Sequence, residues 1–161
     1  MIKINTYSHT FKSFFIFSNL YFISFFINAY SDLDKLNLPV GFEISIFAKD
    51  LDSPRQITQT HDGYVIVGSK KGDKIYALDD QDLDGYAEKR ILVAEGLQNP
   101  TGVSVFEGDL YFAEIDTIWI IKDIDQWLKQ NSQLLPNKTI YMNNLPSETW
   151  HGFKYIDFGP D

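Results

Sequence analysis

The feature that most constrains this chain is a repeat of a turn-and-strand signature. Ser53-Pro54-Arg55-Gln56-Ile57 leads through Asp62-Gly63 into Tyr64-Val65-Ile66-Val67-Gly68. Asn99-Pro100-Thr101-Gly102-Val103 then leads through Glu107-Gly108 into Leu110-Tyr111-Phe112-Ala113-Glu114. A third start, His151-Gly152-Phe153-Lys154-Tyr155-Ile156, runs on to Gly159-Pro160-Asp161. The apolar runs are too short for helices, and the turns between them carry hairpin chemistry. Pro54 and Pro100 are separated by about the length of one four-stranded propeller blade, roughly 40 to 50 residues. The expectation is an all-β chain with a β-propeller architecture, about two blades plus flanking strands. A plain antiparallel sandwich would account for the strands but not for the recurring proline-to-glycine signature.

The alternation of apolar and polar residues places a lead strand at 42–47. One four-strand unit follows at 56–60, 64–68, 74–78 and 90–94, and a second at 103–106, 110–113, 117–121 and 139–142. A final strand is expected at 154–158. Residues 124–131 read as a short helix, with Ile124, Trp127 and Leu128 on one face. A propeller has about four to eight blades, so the chain reads as the N-terminal part of a truncated propeller domain. The lead strand would complete a last blade that this sequence does not contain.

The first thirty residues differ in character. Lys3 and Lys12 precede an apolar stretch over 14–27, and small residues follow at Ala29 and Ser31. This is the layout of a secretory signal over 1–31, with the mature domain at 32–161. The stretch falls short of the roughly 20 apolar residues of a membrane span, so no stable span is expected after cleavage. The protein would then be periplasmic or secreted. Fourteen basic against 22 acidic residues give a net charge of -8, which argues against a nucleic-acid partner. The absence of cysteine excludes disulfides and thiolate chemistry.

Three places could carry chemistry. Asp80, Asp82 and Asp84, then Gly85, the Tyr86 carbonyl and Glu88, could wrap oxygens round calcium. The other reading is an acidic hairpin loop, and the position where an EF-hand has its last glutamate is Ile91. His151 has an imidazole suited to taking a proton from an alcohol, and Gly152 beside it admits a ligand closely. Its other reading is a histidine packed on Trp150. Arg55, at the start of the first unit, could meet a cofactor carboxylate or form a surface ion pair.

The stretch from Glu148-Thr149-Trp150-His151 to Gly159-Pro160-Asp161 resembles the soluble quinoprotein glucose dehydrogenases and the related sorbosone dehydrogenases. Leu38-Pro39-Val40-Gly41-Phe42, Val67-Gly68-Ser69-Lys70-Lys71-Gly72 and Ile75-Tyr76-Ala77-Leu78 are similar to the sorbosone branch. The resemblance implies a propeller that is six-bladed at full length. It also implies oxidation of a sugar or sorbosone-like substrate by hydride transfer to pyrroloquinoline quinone, with His151 as general base. Gln98 and Asn99 hold the place of a cofactor-binding pair, with Arg55 as a further cofactor contact. This portion by itself is expected to be inactive. Two other functions fit a propeller: a calcium-dependent lactone hydrolase, and a non-catalytic module that binds a partner.

Overall fold

The computed structural model describes residues 33, 35–130 and 132–160. The expected signal over 1–31 lies outside the described residues. The chain divides into Met1–Pro39 and Val40–Asp161. In the first unit a tight turn lets the Leu36 N–H donate to the Leu33 carbonyl at 3.0 Å. The second unit carries two four-stranded antiparallel sheets.

The first sheet runs β1 (Pro54–Gln59), β2 (Val65–Ser69), β3 (Ile75–Asp79) and β4 (Lys89–Ala94), each strand beside its neighbour in sequence. The second repeats that order with β5 (Gly102–Phe106), β6 (Asp109–Ala113), β7 (Ile118–Ile121) and β8 (Thr139–Met142). Helix α1 (Ile124–Lys129) bridges β7 and β8. The all-β expectation therefore holds, and the eight strands fall within two residues of where alternation and turn residues put them. Local chemistry explains why. Glu107 and Gly108 both have positive φ, 50° and 84°, giving the two-residue turn whose twist matches the strands it joins. Between β1 and β2, Gly63 at φ 97° closes a longer loop in which the Thr60 N–H donates to the Tyr64 carbonyl at 2.9 Å.

One apolar core joins both sheets and the helix. Ile66, Ile75 and Val93 come from the first sheet, Val103, Leu110, Phe112 and Ile121 from the second, and Ile124 and Leu128 from α1. Phe112 is fully buried and by itself contributes about 2–3 kcal/mol of transfer free energy. Strand β5 packs against β1 and β2. The approach is so close that a Cβ on Gly68 would run into the Thr101 carbonyl oxygen and stand 2.8 Å from that of Pro100. The Ser69 N–H donates to the same Pro100 carbonyl at 2.8 Å. From the other end of the contact, α1 reaches the β1–β2 turn. Asp125 Oδ2 accepts from the His61 N–H at 3.1 Å, and Lys129 pairs with Asp62 at 2.6 Å.

Two expected strands did not form. Residues 42–49 have no regular structure, and Val40, Phe42 and Ile44 are exposed. A strand needs a neighbour's backbone to satisfy its own, and no strand among the described residues pairs with this segment. Its Phe47 carbonyl instead accepts from Ala87 at 2.8 Å. Residues 154–158 also lack a ladder, although they run beside the first strand of each sheet. There the Gln56 amide stands in for a strand backbone, donating to the Ile156 carbonyl at 2.8 Å and accepting its N–H at 3.4 Å. Ser104 Oγ donates to Asp157 at 3.1 Å, and Phe158 stacks on Phe106 with centroids 4.3 Å apart.

Candidate functional site

The repeat leaves a backbone mark at the start of each cycle. Ser53, Asn99 and His151 adopt left-handed φ values of 47°, 50° and 61°, each directly ahead of Pro54, Pro100 or Gly152. Non-glycine residues seldom adopt this conformation, and it turns the chain sharply into the segment that follows. At His151 the turn is fixed from behind. Gly152 is buried, and a Cβ there would collide with the Glu148 carbonyl oxygen and approach Ile115.

Around His151 lies an open cleft of about 490 Å³, lined by Arg55, Lys70, Thr149, Trp150, His151, Phe153 and Tyr155. That volume falls within the roughly 300–1,000 Å³ of small-molecule sites. Three separate parts of the sequence meet here: the start of β1, the β2–β3 turn, and the third repeat start. Arg55 Nε donates to the Tyr155 hydroxyl, and its guanidinium lies 5.8 Å from the centre of that ring. Lys70 Nζ lies 5.0 Å above the Phe153 ring. Trp150 and His151 meet edge to face, 5.2 Å between centroids.

The electrostatics of the cleft run against those of the chain. The protein carries -8, yet the charged side chains lining this cleft are cations. Among the described residues neither Arg55 nor Lys70 has a carboxylate partner, whereas Lys122 and Lys129 pair with Asp109 at 2.5 Å and Asp62 at 2.6 Å. Unpaired cations set against aromatic rings favour a flat, negatively charged ligand. The residues present therefore fit a planar aromatic polycarboxylate such as pyrroloquinoline quinone.

Arg55 and His151 thus come together, as a shared site requires. Gln98 and Asn99 sit apart from the cleft lining, on the β4–β5 connection. The Gln98 N–H donates to the Glu114 carboxylate, whose other oxygen accepts from the Trp119 indole at 2.6 Å. The Asn99 carbonyl accepts from the Thr101 N–H at 2.7 Å. Lys70, Phe153 and Tyr155 are cleft residues that the sequence reading did not single out. A signal existed for Phe153: aligned on the repeat, it stands where Arg55 stands in the first cycle.

The acidic loop between β3 and β4 is a separate feature. Ligand oxygens of Asp80, Asp82, Asp84 and Glu88 all lie within 4.8 Å of one another. Backbone N–H groups hold them inward. Asp84 N–H donates to Asp80 at 3.1 Å, Gly85 N–H to the other Asp80 oxygen at 3.0 Å, and Tyr86 N–H to Asp84 at 2.8 Å. Gln81 N–H donates to Glu88 at 3.2 Å. Leu83 and Gly85 take positive φ, 59° and 89°, which curls the loop. The oxygen-only donor set fits a hard divalent cation such as calcium.

Comparison with known proteins gives one distant relative, an uncharacterized protein of Borreliella burgdorferi (strain ATCC 35210 / DSM 4680 / CIP 102532 / B31). It is 24% identical over 155 residues, covering 88% of this chain and 38% of the relative. The chain therefore spans well under half the length of the protein it matches. No family model matches the sequence, and no solved structure matches the fold. Among the described residues no helix is long and apolar enough to cross a membrane.

Proposed function

We propose that this chain carries part of a quinone-dependent oxidoreductase acting on a sugar-like alcohol, with its cofactor in the cleft around His151. The observation that carries the reading is the pair of carboxylate-free cations, Arg55 and Lys70, facing aromatic rings in a protein of opposite charge. In this reading the two sheets are successive propeller blades and residues 153–158 begin a third. The left-handed residue at the head of each cycle, and the side-by-side run of β1, β5 and 154–158, support that arrangement. The unpaired segment 42–49 would find its partner in a blade supplied from elsewhere in a longer protein.

The roles follow from the side chains. Arg55 and Lys70 neutralise ligand carboxylates, and Tyr155 and Phe153 hold those cations in place while keeping water off one side. Pyrroloquinoline quinone, when bound, supplies a two-electron acceptor for hydride. His151 takes the proton of the substrate hydroxyl on an imidazole nitrogen, its backbone turn braced by Gly152 and its ring limited by Trp150. Calcium in the Asp80, Asp82, Asp84 and Glu88 loop would stiffen the β3–β4 connection, remote in sequence from His151. Export to the periplasm or outside the cell accords with the signal-like residues 1–31.

The test is titration of the chain with pyrroloquinoline quinone, followed by absorbance. Replacing both Arg55 and Lys70 by alanine should weaken binding at least ~100-fold, about tenfold for each lost charge-assisted bond. His151→Ala should leave quinone affinity within about twofold, because the imidazole is assigned to substrate. In the quinone-loaded protein as isolated from its source, the same change should abolish dye reduction. Absence of quinone binding, or equal binding by the double variant, would refute the reading.

A further inference from the structure

Trp150 is the most exposed Phe, Tyr or Trp among the described residues, at 84%. The fold does not account for it, since Trp119 and Trp127 pack against the core and Trp150 does not. Its ring contact is with His151, at 84° between planes, which occupies at most one face of the indole. Trp150 lines the cleft together with His151 and Thr149. Arg55 and Lys70, the charged groups of the cleft, are engaged with Tyr155 and Phe153 rather than with this edge.

An exposed aromatic ring next to hydrogen-bonding groups suits a ligand that is itself two-sided. It must present a flat array of C–H bonds to the indole and hydroxyls to His151 and Thr149. A cyclic sugar has both. An acyclic polyol distributes its hydroxyls around a flexible chain and has no continuous C–H face to stack. An anion would be drawn to Arg55 and Lys70 instead, and a cation would be repelled by them. We propose that Trp150 is the specificity-determining platform of the cleft, stacking one face of a pyranose or furanose ring so that a ring hydroxyl reaches His151. This rests on the reading of the cleft as the site of a sugar oxidoreductase, and selects cyclic over open-chain substrates.

Tryptophan emission, taken as the difference between wild type and Trp150→Phe because Trp119 and Trp127 also emit, provides the readout, with methyl β-glucopyranoside, sorbitol and benzyl alcohol as probes, each with and without pyrroloquinoline quinone. The glucoside should shift and quench the emission, and sorbitol should not. Trp150→Ala should weaken glucoside binding by about tenfold, measured by calorimetry, and Trp150→Phe by about threefold. Because Trp150 is exposed, both variants should keep the wild-type melting temperature, so a lost signal is not lost folding. Equal response to sorbitol, tighter binding of benzyl alcohol, or unchanged glucoside affinity in Trp150→Ala overturns the platform. Glucoside stacking on Trp150 without any quinone binding keeps the platform and removes the quinone. Quinone binding with no glucoside response in any condition does the reverse.

Discussion

Gly68→Ala should be among the most damaging single-methyl additions in this fold. Gly68 lies in β2 where the first sheet meets the start of the second, and the groups it faces are backbone. A Cβ there would overlap the Thr101 carbonyl oxygen and stand 2.8 Å from the Pro100 oxygen, where ordinary contact begins near 3.4 Å. Neither oxygen belongs to a side chain that can rotate away, so the sheets must part by ~0.6 Å or more. Such overpacking costs about 1–3 kcal/mol. Parting the sheets also strains the Ser69-to-Pro100 hydrogen bond, worth about 1 kcal/mol net. Alanine recovers roughly 0.5–1 kcal/mol through its better strand behaviour, leaving a loss of about 1–3.5 kcal/mol. At about 4 °C per kcal/mol for a unit of this size, the melting temperature should fall by roughly 4–14 °C in a circular-dichroism melt. Gly96→Ala is the control. Gly96 has open space around it and a φ of 69°, so alanine there bears only the left-handed backbone cost, about 1 kcal/mol. A Gly68→Ala protein that melts within about 2 °C of wild type would sink the account of how the sheets meet.

Calcium at about a hundred times its dissociation constant should stabilise the chain by about 2.7 kcal/mol, seen as a raised melting temperature that Asp84→Asn abolishes. The Lys129 ammonium, hydrogen-bonded to Asp62, holds that carboxyl below its usual range, and Asp62 in turn holds the Lys129 ammonium above its own. The depressed Asp62 favours folding above its unfolded value of about 4 and loses this as pH falls through the folded value. The raised Lys129 favours folding below about 10.4 and loses this as pH climbs through its folded value. The stability difference between wild type and Lys129→Met should therefore be flat from about pH 5 to 10 and shrink outside that window, as denaturant titrations at stepped pH will show. Gly152→Ala should displace His151 by forcing the turn off the Glu148 carbonyl, and because this backbone clash is tighter than the one at Gly68, the melting temperature should fall at least as far as in Gly68→Ala.

What could be read from the sequence was what local chemistry decides. β8 spans Thr139–Met142, the bounds expected of it, and Glu107-Gly108 turns where the dipeptide predicts. Helix α1 stops at Lys129, two residues short of the expected end, with Gln130 still hydrogen-bonded to the Trp127 carbonyl. The lead strand at 42–47 failed for the opposite reason. Its alternation is as clear as that of β1, but a strand is a relation between two backbones, and its own sequence says nothing about whether the second is there.

The cleft divides in the same way. His151 was singled out through the resemblance that ends in Gly159-Pro160-Asp161, and Arg55 through its place at the entry to the first strand of the repeat. Lys70 was not, since nothing in its local sequence sets it apart from the adjacent Lys71. Its meaning arises only when a ring eighty residues further along the chain slides beneath it. Gln98 and Asn99, the expected cofactor pair, lie outside the lining of the cleft. Both stand at the head of the second cycle, yet Glu114 and Thr101 take up their backbone groups on the β4–β5 connection. Equivalent backbone geometry at Ser53, Asn99 and His151 therefore does not give equivalent surroundings. What separates them is whether the next segment brings an aromatic ring to face a cation. The first and third cycles do this jointly, through Arg55 and Tyr155, and the second contributes neither partner.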